Sequence, residues 1–207
     1  MAPLMSTYLY DWGGLNVSLF HAINDVHTPL LDRLMLLGTL AGDHANFPLY
    51  LALMATFALV VAARGGANRA YAWLSVLAVF GVGYVLEGQI LGTLKPWLDF
   101  PRPPLALPPG TVHVVGRLEL HHSLPSGHSS FAMLLAASLW AVANRPVRLL
   151  LVAFTLWVGL SRISLGAHFP ADVLAGFTLS LVLVWLLRLS RLAPWPRPRP
   201  EKQTITA

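Results

Sequence analysis

Long apolar runs with very few charged residues dominate this sequence. They occupy residues 47–63, 70–94, 128–144, 147–163 and 172–187, and the second run carries only Glu87. With flanking residues, each run can cross about 30 Å of hydrocarbon as an α-helix. Apolar residues make up 56% of the chain and charged residues only 11%. A soluble globular protein has about 25% charged residues, so the sequence predicts an all-α integral membrane helical bundle.

The segment before the first run is less clearly apolar. Residues 15–23 and 29–42 are short, and the second stretch carries Asp32 and Arg33 near its start. The leucines that follow recur at helical spacing, which predicts one or two amphipathic or tilted helices, or a sixth crossing. We therefore expect five to six transmembrane helices. The expected divisions are a helical segment at 1–46, the membrane bundle at 47–188 and a Pro/Arg-rich cytoplasmic tail at 189–207.

Basic residues predict the orientation in the membrane, because lysine and arginine concentrate in cytoplasmic loops. Arg64 and Arg69 flank one short connection, Arg145 and Arg148 lie in another, and more arginines follow in the tail. These connections share one side if all five runs cross. The segments 95–127 and 162–171 then face the periplasm of a bacterial inner membrane. The net charge of +5 is explained by basic residues that set the orientation in the membrane. We therefore expect membrane lipids, and not nucleic acid, as partners.

Basic residues on the opposite side break this pattern. Lys95 follows an apolar run, and Arg102 stands seven residues later between two prolines, which stiffen the backbone. Arg162 ends another run. Each of these side chains alone also fits an ordinary interfacial position. Together they indicate an anionic ligand on that side.

The segment PSGHSS starts the third apolar run and predicts a helix amino terminus. Ser126 is a good N-cap residue, and Gly127 allows a ligand to approach the backbone closely. Free amides and the helix dipole make such a turn an anion site, into which His128 would reach. The alternative is a capping turn with an incidental histidine.

The segment SRISLGAHFPAD places His168 four residues before Asp172. A carboxylate at this spacing can accept from one ring nitrogen, fix the tautomer and leave the other nitrogen as nucleophile or base. Pro170 can open the next helix. The alternative is a helix terminus that Asp172 caps.

The ordered blocks K-x6-RP, PSGH and SR-x5-H-x3-D resemble the membrane members of the phosphatidic acid phosphatase type 2 superfamily, which is related to vanadium haloperoxidases. The resemblance implies a helical bundle with its site at the membrane face and metal-independent phosphate hydrolysis. It implies that His168 is the nucleophile, that Asp172 orients it and that His128 is the general acid. The residues that match the family's phosphate-binding positions are Lys95, Arg102, Ser126, Gly127 and Arg162.

The expected activity is hydrolysis of a lipid phosphate or pyrophosphate through a phosphohistidine. Candidate substrates are undecaprenyl pyrophosphate, phosphatidylglycerol phosphate, phosphatidate and a lipid A phosphate. No carboxylate cluster suits a divalent metal, and we expect neither a metal nor a cofactor. A lipid phosphotransferase would use the same residues. A lipid or anion transporter is the alternative of a different class, although its site would be expected at the midplane.

Overall fold

A computed structural model describes residues 10–65 and 67–190 of the 207-residue chain. The described part is helical and contains no β-strand. Its α-helices are α1 (Leu15–Asn24), α2 (Pro29–Ala41), α3 (Phe47–Gly65), α4 (Ala67–Leu98), α5 (Pro103–Ala106), α6 (Gly127–Leu139), α7 (Arg145–Ser164) and α8 (Pro170–Leu189).

Four segments in the described part are long and apolar enough to cross a membrane. They are His44–Arg64, Arg69–Ala106, Arg145–Ser164 and Pro170–Leu189, and they correspond to α3, α4 with the residues that follow it, α7 and α8. Their exposed surfaces consist largely of leucine and valine side chains, as a lipid-facing surface requires. The chain is therefore an all-α integral membrane bundle, as the sequence predicts.

The apolar run at 128–144 forms a shorter helix than expected. Helix α6 has 13 residues and rises about 20 Å, less than the hydrocarbon thickness of about 30 Å. It lies in the centre of the bundle against α4, α7 and α8. Phe131 and Leu134 are almost fully buried there, in a core with Phe80 and Val184. The run remains apolar because α6 is surrounded by other helices.

The amino-terminal segment forms two helices, both too short to cross the bilayer. Helix α1 has 10 residues and α2 has 13. Thr28 caps α2 by accepting a hydrogen bond from the backbone amide of Leu31, and Pro29 opens the helix. Helix α2 packs against α7, whereas α1 contacts both α7 and α8. The segment thus belongs to the surface of the bundle that surrounds α7.

The helix order brings the predicted site residues to one end of the bundle. Helices α4 and α7 end there, and α3, α6 and α8 begin there. Arg64 and Arg145 lie at the opposite ends of α3 and α7. The tail, apart from its first two residues, lies outside the described residues.

Candidate active site

His168 and Asp172 form the centre of the site. The two follow the end of α7, and α8 begins at Pro170 between them, as predicted. Nδ1 of His168 lies 3.3 Å from Oδ2 of Asp172, and both side chains are buried. The backbone amide of Phe169 donates to the same carboxylate at 2.8 Å. Asp172 therefore caps α8 and also contacts the ring of His168, so the geometry is compatible with both interpretations of this segment.

Two further side chains hold the Asp172 carboxylate. The hydroxyl of Tyr10 donates to Oδ1 at 2.7 Å, and the hydroxyl of Ser123 donates to Oδ2 at 2.6 Å. Neither residue was predicted as part of the site, because each lies outside the motif blocks. Ser123 stands three residues before Ser126, whereas Tyr10 is remote in sequence from every block.

The surroundings of His168 favour its neutral form. Burial lowers the pKa of His168 well below its ordinary value, and the nearby positive charges of Arg102 and Arg162 lower it further. A neutral imidazole whose Nδ1–H points at a carboxylate keeps a lone pair on Nε2. Such a tautomer would leave Nε2 as the ring atom available to a ligand.

Arg102 faces the other side of the His168 ring. Its Nη1 atom lies 3.3 Å from Nε2 of His168 and 3.2 Å from the carbonyl oxygen of Ala167. Nε donates to the carbonyl of His121 at 2.9 Å, and Nη2 forms a 2.6 Å ion pair with Glu119. Two backbone carbonyls thus fix the guanidinium, and its Nη2 atom is paired with Glu119.

The other predicted cations flank this arrangement. Nη1 of Arg162 donates to the hydroxyl of Thr39 at 3.0 Å, and its buried Nε has no hydrogen-bond partner among the described residues. Nζ of Lys95 donates to the carbonyl of His122 at 3.2 Å. Arg102, Arg162 and His128 line a common cavity of about 210 Å³. The cavity therefore joins two of the predicted cations to the predicted general acid.

The amino-terminal turn of α6 borders these residues. Ser126 occupies the N-cap position, but its side chain makes no capping bond and instead accepts from the hydroxyl of Ser129 at 2.9 Å. Ser126 is thus the N-cap residue by position, as predicted, but its side chain does not satisfy the free amides of the first turn. Its backbone amide donates to the carbonyl of Asp172, which joins α6 to α8. Gly176 permits this approach, because a Cβ there would lie 2.5 Å from the carbonyl oxygen of Ser126.

His128 lies in the first turn of α6, on the cavity wall. Its Nε2 atom is 3.9 Å from Oδ2 of Asp43. Burial lowers the pKa of His128 to about 3, and the charge of Arg162 adds to this effect, whereas Asp43 opposes it. Burial is the largest cause of this shift, and an anionic ligand in the cavity would change only the smaller contribution from the neighbouring charges.

A second histidine–carboxylate pair lies beside this turn. Nε2 of His44 is 3.4 Å from Oε1 of the fully buried Glu87. A charged residue within an apolar run is expected to face the bundle interior or a neighbouring polar group, and Glu87 does both. The partner was missed, because His44 lies in the segment before the first apolar run. Its ring also stacks on Phe131 at 4.9 Å, which places it against α6.

The described residues contain no group of three or more histidine, cysteine, aspartate or glutamate side chains that could hold a metal ion. The site instead offers cations, a helix amino terminus, an oriented imidazole and a second histidine. Such an arrangement can bind a phosphate group and stabilise the charge that develops on its oxygens.

Comparison with known proteins agrees with this chemistry. The model of the PAP2 superfamily matches residues 72–195, which is more than half of the chain. The chain therefore belongs to the PAP2 superfamily, as its sequence motifs indicate.

Two curated relatives carry lipid phosphatase names. Phosphatidylglycerophosphatase B of Bacillus subtilis (strain 168) is 34% identical over 125 residues, covering 56% of this chain and 56% of that protein. A lipid A 1-phosphatase of Rhizobium johnstonii is 29% identical over 160 residues, covering 69% of this chain and 62% of that protein. The match thus spans less than two thirds of the length of either relative.

A solved structure has the same fold. The crystal structure of Aquifex aeolicus LpxE is 25% identical, with a TM-score of 0.68, and the match covers 84% of this chain and 94% of that one. The similarity extends beyond residues 72–195 and therefore includes part of the amino-terminal segment.

Proposed function

We propose that this protein is a metal-independent phosphatase that hydrolyses a lipid phosphate or pyrophosphate. The observation that carries the proposal is that the two ring nitrogens of His168 have different partners. Nδ1 faces Asp172, and Nε2 faces Arg102. Family membership and the names of both relatives support the same activity.

The reaction proceeds through a phosphohistidine. Nε2 of His168 attacks phosphorus, the bond to the leaving oxygen breaks, and His128 protonates that oxygen. His128 then removes a proton from water, which attacks the phosphohistidine and releases inorganic phosphate. The charges of Lys95, Arg102 and Arg162 stabilise the equatorial oxygens in both steps.

The charge balance suits this role of His128. Burial and the neighbouring cations hold the pKa of His128 at about 3. A phosphate dianion beside Arg102 and Arg162 offsets those cations and raises the pKa of His128. Substrate binding therefore favours the protonated form that a general acid needs.

The position of the site supports a lipid substrate at the outer face of a bacterial inner membrane. The site lies at the ends of membrane-spanning helices, so a phosphate headgroup can enter while its hydrocarbon chains remain in the bilayer. Arginines lie at the ends of α3 and α7 that are remote from the site, and they favour a cytoplasmic location for that end of the bundle.

Phosphate release from purified protein tests the activity. The substrates are undecaprenyl pyrophosphate, phosphatidylglycerol phosphate, phosphatidate and a lipid A phosphate, each in detergent micelles with EDTA. We expect at least one to release phosphate, and we expect ¹⁸O from labelled water to appear in it. Transfer of the phosphoryl group to a lipid acceptor without ¹⁸O incorporation would instead identify a phosphotransferase. No turnover of any of the four would contradict the proposed function.

A further inference from the structure

The amino-terminal segment reaches the reaction centre, although it lies before the region that the family model matches. The side-chain oxygen of Asn16 accepts from the backbone amide of Ala171 at 2.9 Å, directly beside Asp172. The side-chain amide of Asn24 donates to the carbonyl of Ser164 at 2.9 Å, near the end of α7. Both asparagines are buried. Helix α1 is thus fastened to both ends of the connection that carries His168.

Tyr10, which precedes α1, makes the contact closest to the chemistry. Oδ2 of Asp172 accepts from Ser123 and from the backbone amide of Phe169, and it also faces His168. Oδ1 accepts from Tyr10 at 2.7 Å, and no other side-chain donor reaches it among the described residues. Rotation of the carboxylate would exchange the two oxygens, and the bond from Tyr10 opposes that rotation.

The surroundings of Tyr10 keep it a hydrogen-bond donor. Its ring packs against Phe100, with ring centroids 4.6 Å apart, and against the edge of Phe169 at 6.1 Å. Burial raises the pKa of the phenol, and the charge of Asp172 raises it further. The substitution Tyr10→Phe therefore keeps the ring packing and removes only the hydrogen bond to Asp172, so the effect of the hydrogen bond can be measured separately.

We propose that Tyr10 is a positioning residue of the active centre, which holds the Asp172 carboxylate in the orientation that His168 requires. The proposal rests on the proposed function in that His168 is the nucleophile. Tyr10 acts through Asp172 and does not touch the substrate. The amino-terminal segment is then part of the active centre and more than a covering of the bundle.

Removal of the hydroxyl has two expected consequences. The carboxylate gains rotational freedom, so kcat falls about ten-fold, the scale of one lost hydrogen bond to a charged group. KM stays within about two-fold, because the phosphate-binding cations are untouched.

The second consequence concerns pH. Without the hydroxyl the negative charge of Asp172 is less dispersed, which stabilises a protonated His168 and raises the pKa of its ring. The acid limb of the rate profile therefore moves to higher pH.

The experiment compares Tyr10→Phe with Tyr50→Phe. Tyr50 is a matched control, because its hydroxyl donates at 2.8 Å to the carbonyl of Ala41, away from Asp172. The kinetic readouts are kcat, KM and the acid limb, measured with the lipid phosphate that the wild-type protein hydrolyses fastest. A second readout needs no turnover. It is the ¹⁵N NMR titration of histidine-labelled protein in detergent, with the His168 signal assigned from its loss in His168→Ala.

We expect Tyr10→Phe to lower kcat and to raise the titration midpoint of His168, while Tyr50→Phe changes neither. Wild-type kcat and an unchanged His168 titration in Tyr10→Phe would overturn the proposal. A lower kcat with an unchanged titration and a reduced melting temperature would also overturn it, since the role would then be structural. If no lipid is hydrolysed, the titration still tests the link from Tyr10 to His168, while the proposed function fails separately.

Discussion

Arg102 and Asp172 contact opposite nitrogen atoms of His168. Nη1 of Arg102 lies 3.3 Å from Nε2, and Oδ2 of Asp172 lies 3.3 Å from Nδ1. The carboxylate restrains the ring on one side, and the guanidinium can stabilise a phosphate oxygen next to Nε2, the nitrogen that we propose as the nucleophile.

Substitution of His168, the proposed nucleophile, should abolish turnover. We expect His168→Ala to lower kcat by about 10³-fold or more, because a covalent route loses its attacking atom. Phosphate release in detergent micelles measures the effect. His21→Ala is a matched control, since the ring of His21 contacts Asp25 on the partly exposed side of α1. A His168→Ala protein that folds and keeps more than about a tenth of the wild-type rate would exclude the phosphohistidine route.

The acid limb of kcat/KM should lie below pH 6.5. An unperturbed histidine becomes protonated near pH 6.5, but burial and Arg102 lower the pKa of His168. The ring therefore stays neutral and nucleophilic as the pH falls through 6.5, and it is protonated only at lower pH. Initial rates from pH 4 to pH 8, with a lipid phosphate at low concentration, measure this limb. A limb at or above pH 6.5 that belongs to His168 would contradict the described electrostatics.

Glu119 should compete with the substrate for Arg102. Its carboxylate forms a 2.6 Å ion pair with the guanidinium, and a phosphate that binds two guanidinium donors must displace it. We expect Glu119→Gln to lower KM and to tighten vanadate inhibition by about five-fold, the scale of a partly exposed ion pair. We expect kcat to change little.

The control for Glu119 is Asp99→Asn, which removes a carboxylate that pairs with His121 and His122 but not with Arg102. Both variants lose one negative charge near the site, so a difference between them isolates the contact with Arg102. Weaker vanadate binding in Glu119→Gln than in wild type would show that Glu119 supports the site.

Activity should survive chelation and should be inhibited by vanadate. Among the described residues, cations and not carboxylates surround the cavity that His128 lines, apart from Glu119. Vanadate in a trigonal bipyramid resembles the phosphoryl transition state and should bind these cations. The measurement is phosphate release with excess EDTA and then with increasing orthovanadate. Recovery of activity only after magnesium or zinc is added would contradict the metal-independent assignment.

Sequence patterns predicted the helical bundle and most of the residues that the structure places around His168. Both predictions depend on patterns within short segments of the chain. Apolar runs predict membrane helices, and the spacing of His168 and Asp172 carries over directly into a 3.3 Å contact. Tyr10 and Glu119 were not predicted as site residues, because Tyr10 contacts a residue 162 positions away and Glu119 contacts Arg102 across an irregular loop. Their role depends on how the loops fold over the bundle, which periodicity and motif spacing do not encode.

The length of α6 illustrates the same limit for the fold. The run at 128–144 carries the chain from the site end of the bundle to the other end, but it does so as a short helix that ends at Leu139 and whose side chains are mostly buried by its neighbours. A helix buried in protein and a helix exposed to lipid both require apolar side chains. Composition alone therefore cannot separate a central helix from a peripheral one.

The orientation in the membrane should place the active site in the periplasm. Arginines in the connections at 64–69 and 145–148 and in the tail predict that the end of the bundle away from the site is cytoplasmic. The native chain has no cysteine, so a single cysteine gives an unambiguous label. The two reporters are Leu118→Cys, at a position 59% exposed in the loop near the site, and Thr204→Cys in the tail.

In intact spheroplasts, a membrane-impermeant thiol reagent should label Leu118→Cys but not Thr204→Cys. Permeabilised cells serve as the control, because both cysteines should then react. The predicted pattern requires substrate phosphates to be exposed on the outer leaflet, and the released phosphate then enters the periplasm. Labelling of Thr204→Cys alone in intact spheroplasts would reverse the topology. The substrate would then have to come from the inner leaflet, which would remove outer-leaflet lipids from the candidate substrates.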